Sequence, residues 1–317
     1  MPQLHFTTLD VFTTTRYAGN PLAIVEVPSS VTLTPSQEQK IAKEFNLSET
    51  VFFYVPNATS AEGEARISIY TTEQELPFAG HPTVGTTYFL LELKKFKTDN
   101  GRAALKTQSG RIPITYDPHT LLASVNVAHD VLIHRPYTDV QHLAEVLGLT
   151  PPDIVIPLEG GDGVGLASIV KGMTFLLVEL RDVGTLGRIK ANGQEIVVLG
   201  SGVRAGEAPW LAGGFVGIYC FVLDPESGKD GHRKLRTRMF SGSLEDPATG
   251  SAACTLGAWM SLTRPLAGKE ERFEITQGVE MGRKSDIIVS VVKGEQGLEG
   301  VKLEGSAVKV MEGVLEV

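Results

Sequence analysis

The sequence predicts an α+β protein of two similar halves, each a set of strands wrapped about one buried helix. Three observations carry that prediction. Short runs rich in β-branched and aromatic residues recur along the 317-residue chain, and such runs read as strands. Two other segments, Val84–Leu93 and Ala252–Leu262, are apolar and rich in small residues, with Glu92 the sole charge in them; a helix without a polar face is buried on most sides. Each is fed by a tight glycine turn, Phe78-Ala79-Gly80-His81-Pro82-Thr83 in the first half and Thr249-Gly250-Ser251 in the second, so one plan occurs twice.

In chain order, Leu4–Phe12 is a strand, and after the turn Ala18-Gly19-Asn20-Pro21 the strand Leu22–Val27 returns beside it as a hairpin. Thr34 caps a helix with Pro35 in its first position and Gln37 as capping-box partner. Ile41, Ala42 and Phe45 form its inward stripe and Asn46 ends it. Val51–Val55 is a strand, as is Ala65–Tyr70, which alternates Ile67 and Ile69 against Arg66 and Ser68. Beyond a joint near 117–122, strands are expected at Leu121–Val127, Ile154–Pro157, Ala167–Val170, Phe175–Leu180 and Phe215–Leu223, with a helix at His142–Leu147 stopped by Gly148. The last strand, Val308–Val317, is expected to cross back to the first half. The expected domains are therefore residues 1–120 with about 300–317, and 121–299.

Composition narrows the function. At 42% hydrophobic and 21% charged residues the chain is an ordinary globular protein. Its net charge of −8 opposes a nucleic-acid partner, because binding a phosphate backbone needs Lys and Arg to neutralise it. The longest apolar stretch, Phe215–Leu223, is far short of the roughly 20 residues that span a bilayer, and Met1–His5 lacks a basic start with an apolar core behind it. The expectation is a cytoplasmic protein with no membrane partner. Two cysteines, Cys220 and Cys254, make no disulfide framework. The absence of H-E-x-x-H and C-x-x-C patterns opposes a dedicated metal site, and that of G-x-S-x-G the usual hydrolase elbow. Gly200-Ser201-Gly202-Val203-Arg204-Ala205 fits the loose dinucleotide pattern, but Gly206, Pro209 and Gly213-Gly214 stand where a helix must follow, so no nucleotide cofactor is expected.

The glycine turns hold the polar groups of most chemical use. A helix start offers unpaired N–H groups and the positive end of its dipole, so two of them at one cleft make an anion pocket with no basic side chain; the plainer reading is that Gly80 and Gly250 only permit the turns. His81, Ser251 and Asp246 lie within them, with plain readings beside the chemical ones: caps for His81 and Ser251, and a turn residue held extended by Pro247 for Asp246. Glu49 is the best candidate acid or base of the first half. It follows the end of a helix and precedes Val51-Phe52-Phe53; the helix dipole and desolvation both disfavour its anion, bringing proton exchange toward neutral pH. Its plain reading is an exposed loop glutamate.

Six motifs also occur in a fixed order: Asp10-Val11-Phe12, Ala18-Gly19-Asn20-Pro21, Leu47-Ser48-Glu49-Thr50-Val51-Phe52, Glu75-Leu76-Pro77-Phe78-Ala79-Gly80-His81-Pro82-Thr83, Glu245-Asp246-Pro247-Ala248-Thr249-Gly250-Ser251-Ala252, and Gln277-Gly278 with Met281-Gly282-Arg283. Over nearly the whole chain the set resembles the phenazine-biosynthesis PhzF-like family. The resemblance implies a diaminopimelate-epimerase-like fold of two similar domains, each a curled, mostly antiparallel sheet (half-barrel to barrel) around a central helix, with the active site between them. It implies a cofactor-independent isomerase of a small amino-acid-like or carboxylate substrate, as that family's isomerase acts on trans-2,3-dihydro-3-hydroxyanthranilate, and a homodimer. The family's acid/base glutamate falls on Glu49, its histidine on His81, its aspartate on Asp246 and its serine on Ser251. Gly80 and Gly250 fall where backbone amides hold the substrate carboxylate, and Asn20 is a further substrate contact.

Two departures matter. Tyr70-Thr71-Thr72 replaces an aromatic-Thr-Pro run at the pocket edge. Epimerase relatives use one thiol from each domain, whereas both cysteines here lie in the second half; that leaves one-base proton transfer by a carboxyl group. The alternative is a small-molecule binding or regulatory protein without turnover, and the retained polar residues favour the enzyme.

Overall fold

The structure, a computed structural model, describes residues 3–57, 61–156, 163–196, 198, 208–211, 215–225, 227, 231–295 and 297–317. Met1 and Pro2, the end of the expected 154–157 strand and the Gly200–Ala205 run lie outside the described residues. The fold is mixed α+β and dominated by sheet, and the chain divides into two compact units, 1–127 with 302–317, and 128–301.

In the first unit, β1 (Gln3–Val11) and β2 (Asn20–Val27) form the expected antiparallel hairpin. Then comes α1 (Pro35–Phe45), with both bonds of the Thr34–Gln37 capping box made and Asn46 left-handed at its end, which satisfies orphan groups at either terminus. It packs Ile41, Ala42 and Phe45 on Val25, Val27, Phe52 and Tyr70. β3 (Thr50–Tyr54) joins β2 in parallel, β4 (Glu64–Tyr70) pairs antiparallel with β3, and β5 (Glu75–Leu76) antiparallel with β4. Next is α2 (Gly80–Tyr88), buried from Gly80 through Thr87 against β1, β2 and β3. β6 (Ala103–Thr107) then joins β4 in parallel, and β7 (Gly110–Asp117) and β8 (Leu122–Asn126) continue as a meander.

The second unit begins with β9 (Leu132–Ile133) and α3 (Val140–Leu147), capped by Asp139 and ended by left-handed Gly148. β10 (Gly165–Val170) and β11 (Met173–Glu179) pair antiparallel. After α4 (Val183–Arg188) and α5 (Ala208–Leu211), β12 (Phe215–Leu223) joins β11 in parallel. β13 (His232–Ser241) pairs antiparallel with β12, and β14 (Leu244–Asp246) with β13. α6 (Gly250–Thr263) packs on β10, β11, β15 (Glu270–Gln277) and β16 (Ser285–Gly294); β15 is parallel to β13 and antiparallel to β16. Leu143, Val146, Leu147 and Leu186 of α3 and α4 fill a core with Leu166, Leu176, Val178 and Ile218. Finally β17 (Gly297–Gly305) pairs with β8 through Lys302–Gly305, and β18 (Ala307–Glu316) returns to β1 in the first unit.

Several expectations are corrected. The 117–122 segment is the turn of the β7–β8 hairpin, and the chain enters the second unit after Val127, because β8 is fastened by β7 and β17. Ile154 makes only an isolated bridge to Leu180 after a 3-10 turn at Pro151–Asp153. The first central helix starts at Gly80 rather than Val84; Pro82 stands in its first turn, where its missing N–H has no intrahelical partner to lose. Its expected second half, Phe89–Leu93, widens into a π-turn that keeps Phe89 and Leu90 wholly buried. Among the described residues no helix is long and apolar enough to cross a membrane.

Candidate active site

In the first unit, three loop ends bring polar side chains together. Asn20 opens β2, Glu49 lies between the end of α1 and the start of β3, and His81 is in the first turn of α2. Glu49 Oε2 lies 3.2 Å from His81 Nδ1 and is buried without an aligned hydrogen bond of its own. Asn20 Nδ2 is 3.5 Å from the same ring nitrogen, and the Ser48 hydroxyl donates to Asn20 Oδ1 over 3.4 Å. Asn20, Ser48 and His81 thus line the Glu49 carboxyl with groups that can each donate or accept, according to the imidazole tautomer and the hydroxyl rotor.

Burial governs the Glu49 carboxyl. It raises the Glu49 pKa from 4.5 to about 7, against a smaller opposing pull from the Ser48 hydrogen bond. Desolvation is therefore the cause, and the expected contribution from the end of α1 is not needed. Glu49 is no exposed loop glutamate: its side chain is 17% exposed.

In the second unit Asp246 ends β14 and is buried. Its Oδ2 accepts the Thr249 hydroxyl over 2.5 Å, and Gln277 of β15 donates to its backbone carbonyl over 2.7 Å. Gly250 and Ser251 form the first turn of α6. The capping readings fail for both His81 and Ser251: the N-cap positions are Ala79 and Thr249, and neither makes a side-chain cap bond. The first-turn amides of both helices are thus left without a side-chain cap.

Sequence reasoning missed Ser48 as a hydrogen-bond partner of Asn20, and Thr249 and Gln277 as partners of Asp246. All three stood inside the quoted motifs, but nothing local marks a buried hydrogen-bond partner. Tyr70 packs edge-on against Phe52 at 5.6 Å between ring centroids, and Thr71 closes the 71–74 turn through its hydroxyl, so the Thr72 departure falls in that turn. Cys220 on β12 and Cys254 on α6 are fully buried, and burial pushes both thiols up, away from the reactive thiolate. Among the described residues no three His, Cys, Asp or Glu side chains gather as metal ligands.

The geometry can be set beside known proteins. The family model "Phenazine biosynthesis-like protein" matches residues 9–313. An uncharacterized isomerase of Mesorhizobium japonicum is 32% identical over 309 residues, covering 96% of each chain. Trans-2,3-dihydro-3-hydroxyanthranilate isomerase of Pseudomonas aeruginosa is 27% identical over 312 residues, 97% of this chain and 98% of that one. The crystal structure of a Bacillus anthracis phenazine biosynthesis protein of the PhzF family superposes with a TM-score of 0.80 over the whole of both chains, at 22% identity. With the family matched over nearly its full length and relatives named as isomerases, the chain belongs to the phenazine biosynthesis-like (PhzC-PhzF) family of isomerases.

Proposed function

We propose that this isomerase moves a proton between two carbons of a small carboxylate- or amino-acid-like substrate, with Glu49 as the single acid/base. The observation that carries the reading is the buried Glu49 carboxyl, raised to about 7 and set 3.2 Å from His81 Nδ1. A group with that pKa is present in both protonation states near neutral pH, so it can take a proton and return it without a large energetic mismatch at either step. In the carboxylate form Glu49 removes a proton from one carbon; the resulting acid delivers it to another carbon on the same face, and the substrate's double bond shifts between them. The scheme calls on no cofactor.

In this reading His81 and Asp246 orient the substrate's amino or hydroxyl group. Asn20, Ser251 and the uncapped first-turn amides at Gly80 and Gly250 hold its carboxylate. The two inert thiols support a carboxyl group over a thiol pair as the base. The compound named for the Pseudomonas aeruginosa relative, trans-2,3-dihydro-3-hydroxyanthranilate, is the first substrate to try.

The test follows that compound, and small amino-acid analogues, by mass spectrometry in deuterated water. The wild type is expected to isomerise substrate and exchange its labile C–H, with kcat/KM rising as pH passes about 7. Glu49→Gln is expected to do neither while keeping the fold. Wild-type turnover by that variant removes Glu49 from the mechanism.

A further inference from the structure

The turn that carries Asp246 is clamped from a distant strand. Gln277, the last residue of β15, has no solvent exposure. Its Nε2 donates to the Asp246 carbonyl over 2.7 Å and to Thr249 Oγ1 over 3.2 Å. Its Oε1 accepts the Tyr219 hydroxyl over 3.1 Å, the Thr249 backbone N–H over 3.3 Å and the Thr237 hydroxyl over 3.5 Å. The amide orientation is fixed by chemistry: a backbone carbonyl only accepts, so the N–H₂ end must face Asp246.

This polarity propagates. Because Gln277 donates into Thr249 Oγ1, the Thr249 hydroxyl hydrogen is free to point elsewhere, and it is spent on Asp246 Oδ2 at 2.5 Å. Chains of this kind, fully satisfied and shielded from water, hold each member in one geometry. The backbone beyond Gln277 is equally confined. Gly278 adopts φ +73, and a Cβ there would meet the Pro247 carbonyl at 2.6 Å and the Arg283 carbonyl at 2.5 Å. The end of β15 and the 246–249 turn are thus fitted to each other through both side chain and backbone.

We propose that Gln277 and Thr249 are positioning residues for the isomerase reaction: Gln277, braced by Tyr219, directs the Thr249 hydroxyl onto Asp246 and so fixes the Asp246 carboxyl against the substrate. The inference rests on the substrate-orienting role assigned to Asp246 above. Neither residue reacts; each acts through the aim of a third, and misplacement by a fraction of the length of a bond at such a group is felt in the rate.

The test compares Thr249→Val, which keeps the side-chain shape without the hydroxyl, and Thr249→Ser, which keeps the hydroxyl, with Gln277→Glu, which keeps the acceptor and loses the donor. Kinetics on trans-2,3-dihydro-3-hydroxyanthranilate are read beside thermal melts. Thr249→Val is expected to lose kcat about 10–100-fold, with a smaller change in KM and a cooperative melt at a somewhat lower temperature, and Thr249→Ser to recover most of the activity. Gln277→Glu should lose at least as much, and if it does not fold, the Thr249 pair still decides. Wild-type kcat in a folded Thr249→Val variant overturns the inference and leaves the Glu49 mechanism standing, as does a folded Thr249→Ser variant no better than Thr249→Val. A wild-type chain that turns over no substrate overturns the proposed function and this inference with it.

Discussion

Two segments of the chain share a frame and differ in chemistry. In the first unit β5 enters α2 through Glu75-Leu76-Pro77-Phe78-Ala79-Gly80-His81; in the second β14 enters α6 through Glu245-Asp246-Pro247-Ala248-Thr249-Gly250-Ser251. Each short strand is paired antiparallel to the one before it, and each helix begins at the glycine with no side-chain cap. Within that frame Leu76 stands where Asp246 does, Ala79 where Thr249 does, and His81 where Ser251 does. The second turn carries its own carboxyl and holds it with the hydroxyl of Thr249. The first has Leu76 at that place, and the carboxyl beside its His81, Glu49, comes from a different loop. One backbone device therefore stands beside two differently held carboxyls: Asp246, bonded by the Thr249 hydroxyl, and Glu49, whose pKa burial raises to about 7.

The largest test of that contrast is catalytic. Glu49→Gln is expected to lower kcat by about 10²–10⁴-fold, the usual worth of a positioned general acid or base, whereas Thr249→Val costs less because the carboxyl it aims survives. A steady-state comparison in which Thr249→Val does more damage than Glu49→Gln would reverse the assignment of roles.

Stability against pH tests the Glu49 side of the contrast next. The folded state raises the Glu49 pKa from 4.5 to about 7, so between those values the native chain holds a proton that the unfolded chain has released. Stability from this group is accordingly full below pH 4.5 and falls as pH rises to about 7. Glu49→Gln removes that slope. Relative to wild type, the variant should gain about 3 kcal/mol in denaturant unfolding between about pH 4 and about pH 8. A difference that stays constant across that range would mean Glu49 is not held in its neutral form by burial.

The central helices should also respond unequally to added volume. A Cβ on Gly85 of α2 would lie 2.5 Å from Leu22 Cδ2 and 2.7 Å from Val11 Cγ2, whereas on Gly257 of α6 its nearest neighbours are at 3.2–3.4 Å. Gly85→Ala is expected to destabilise by about 1–2 kcal/mol, overpacking outweighing the helix gain, and Gly257→Ala to stay within about 0.5 kcal/mol of wild type. Equal urea midpoints for the two variants would show that Leu22 and Val11 yield freely. The smallest effect is expected from Cys220→Ala and Cys254→Ala, which should leave kcat unchanged in whatever fraction folds; loss of turnover in a folded variant would bring thiol chemistry back.

Much of this was legible in the residues. The capping box of α1, its end at Asn46, the β1–β2 hairpin and the bounds of β12 rest on signals a few residues apart, which the chain carries with it wherever it folds. For Glu49 the apolar run directly after it pointed to desolvation, but the residues alone favoured the plainer reading of an exposed loop glutamate, which the structure overturns. β13, β15 and β16 were not read as strands. β13 alternates as a strand should, but Arg233 occupies a buried position and breaks the apolar pattern; it is tolerated because Glu271, from β15, lies 3.5 Å away. That pairing is invisible in either segment alone.

The functional geometry divides along the same line. The sequence by itself determined which groups were available: a glutamate ahead of an apolar run, two glycine-led helices, and thiols confined to one half. Only the tertiary structure decided their states, because desolvation and hydrogen bonding depend on what packs alongside. His81 meets a glutamate from another loop, and Gln277 reaches back 28 residues to Thr249 and 58 to Tyr219. Local sequence can supply a carboxyl and its turn; the neighbours that desolvate it or hold it fixed come from segments that meet only when the sheet closes over the helix.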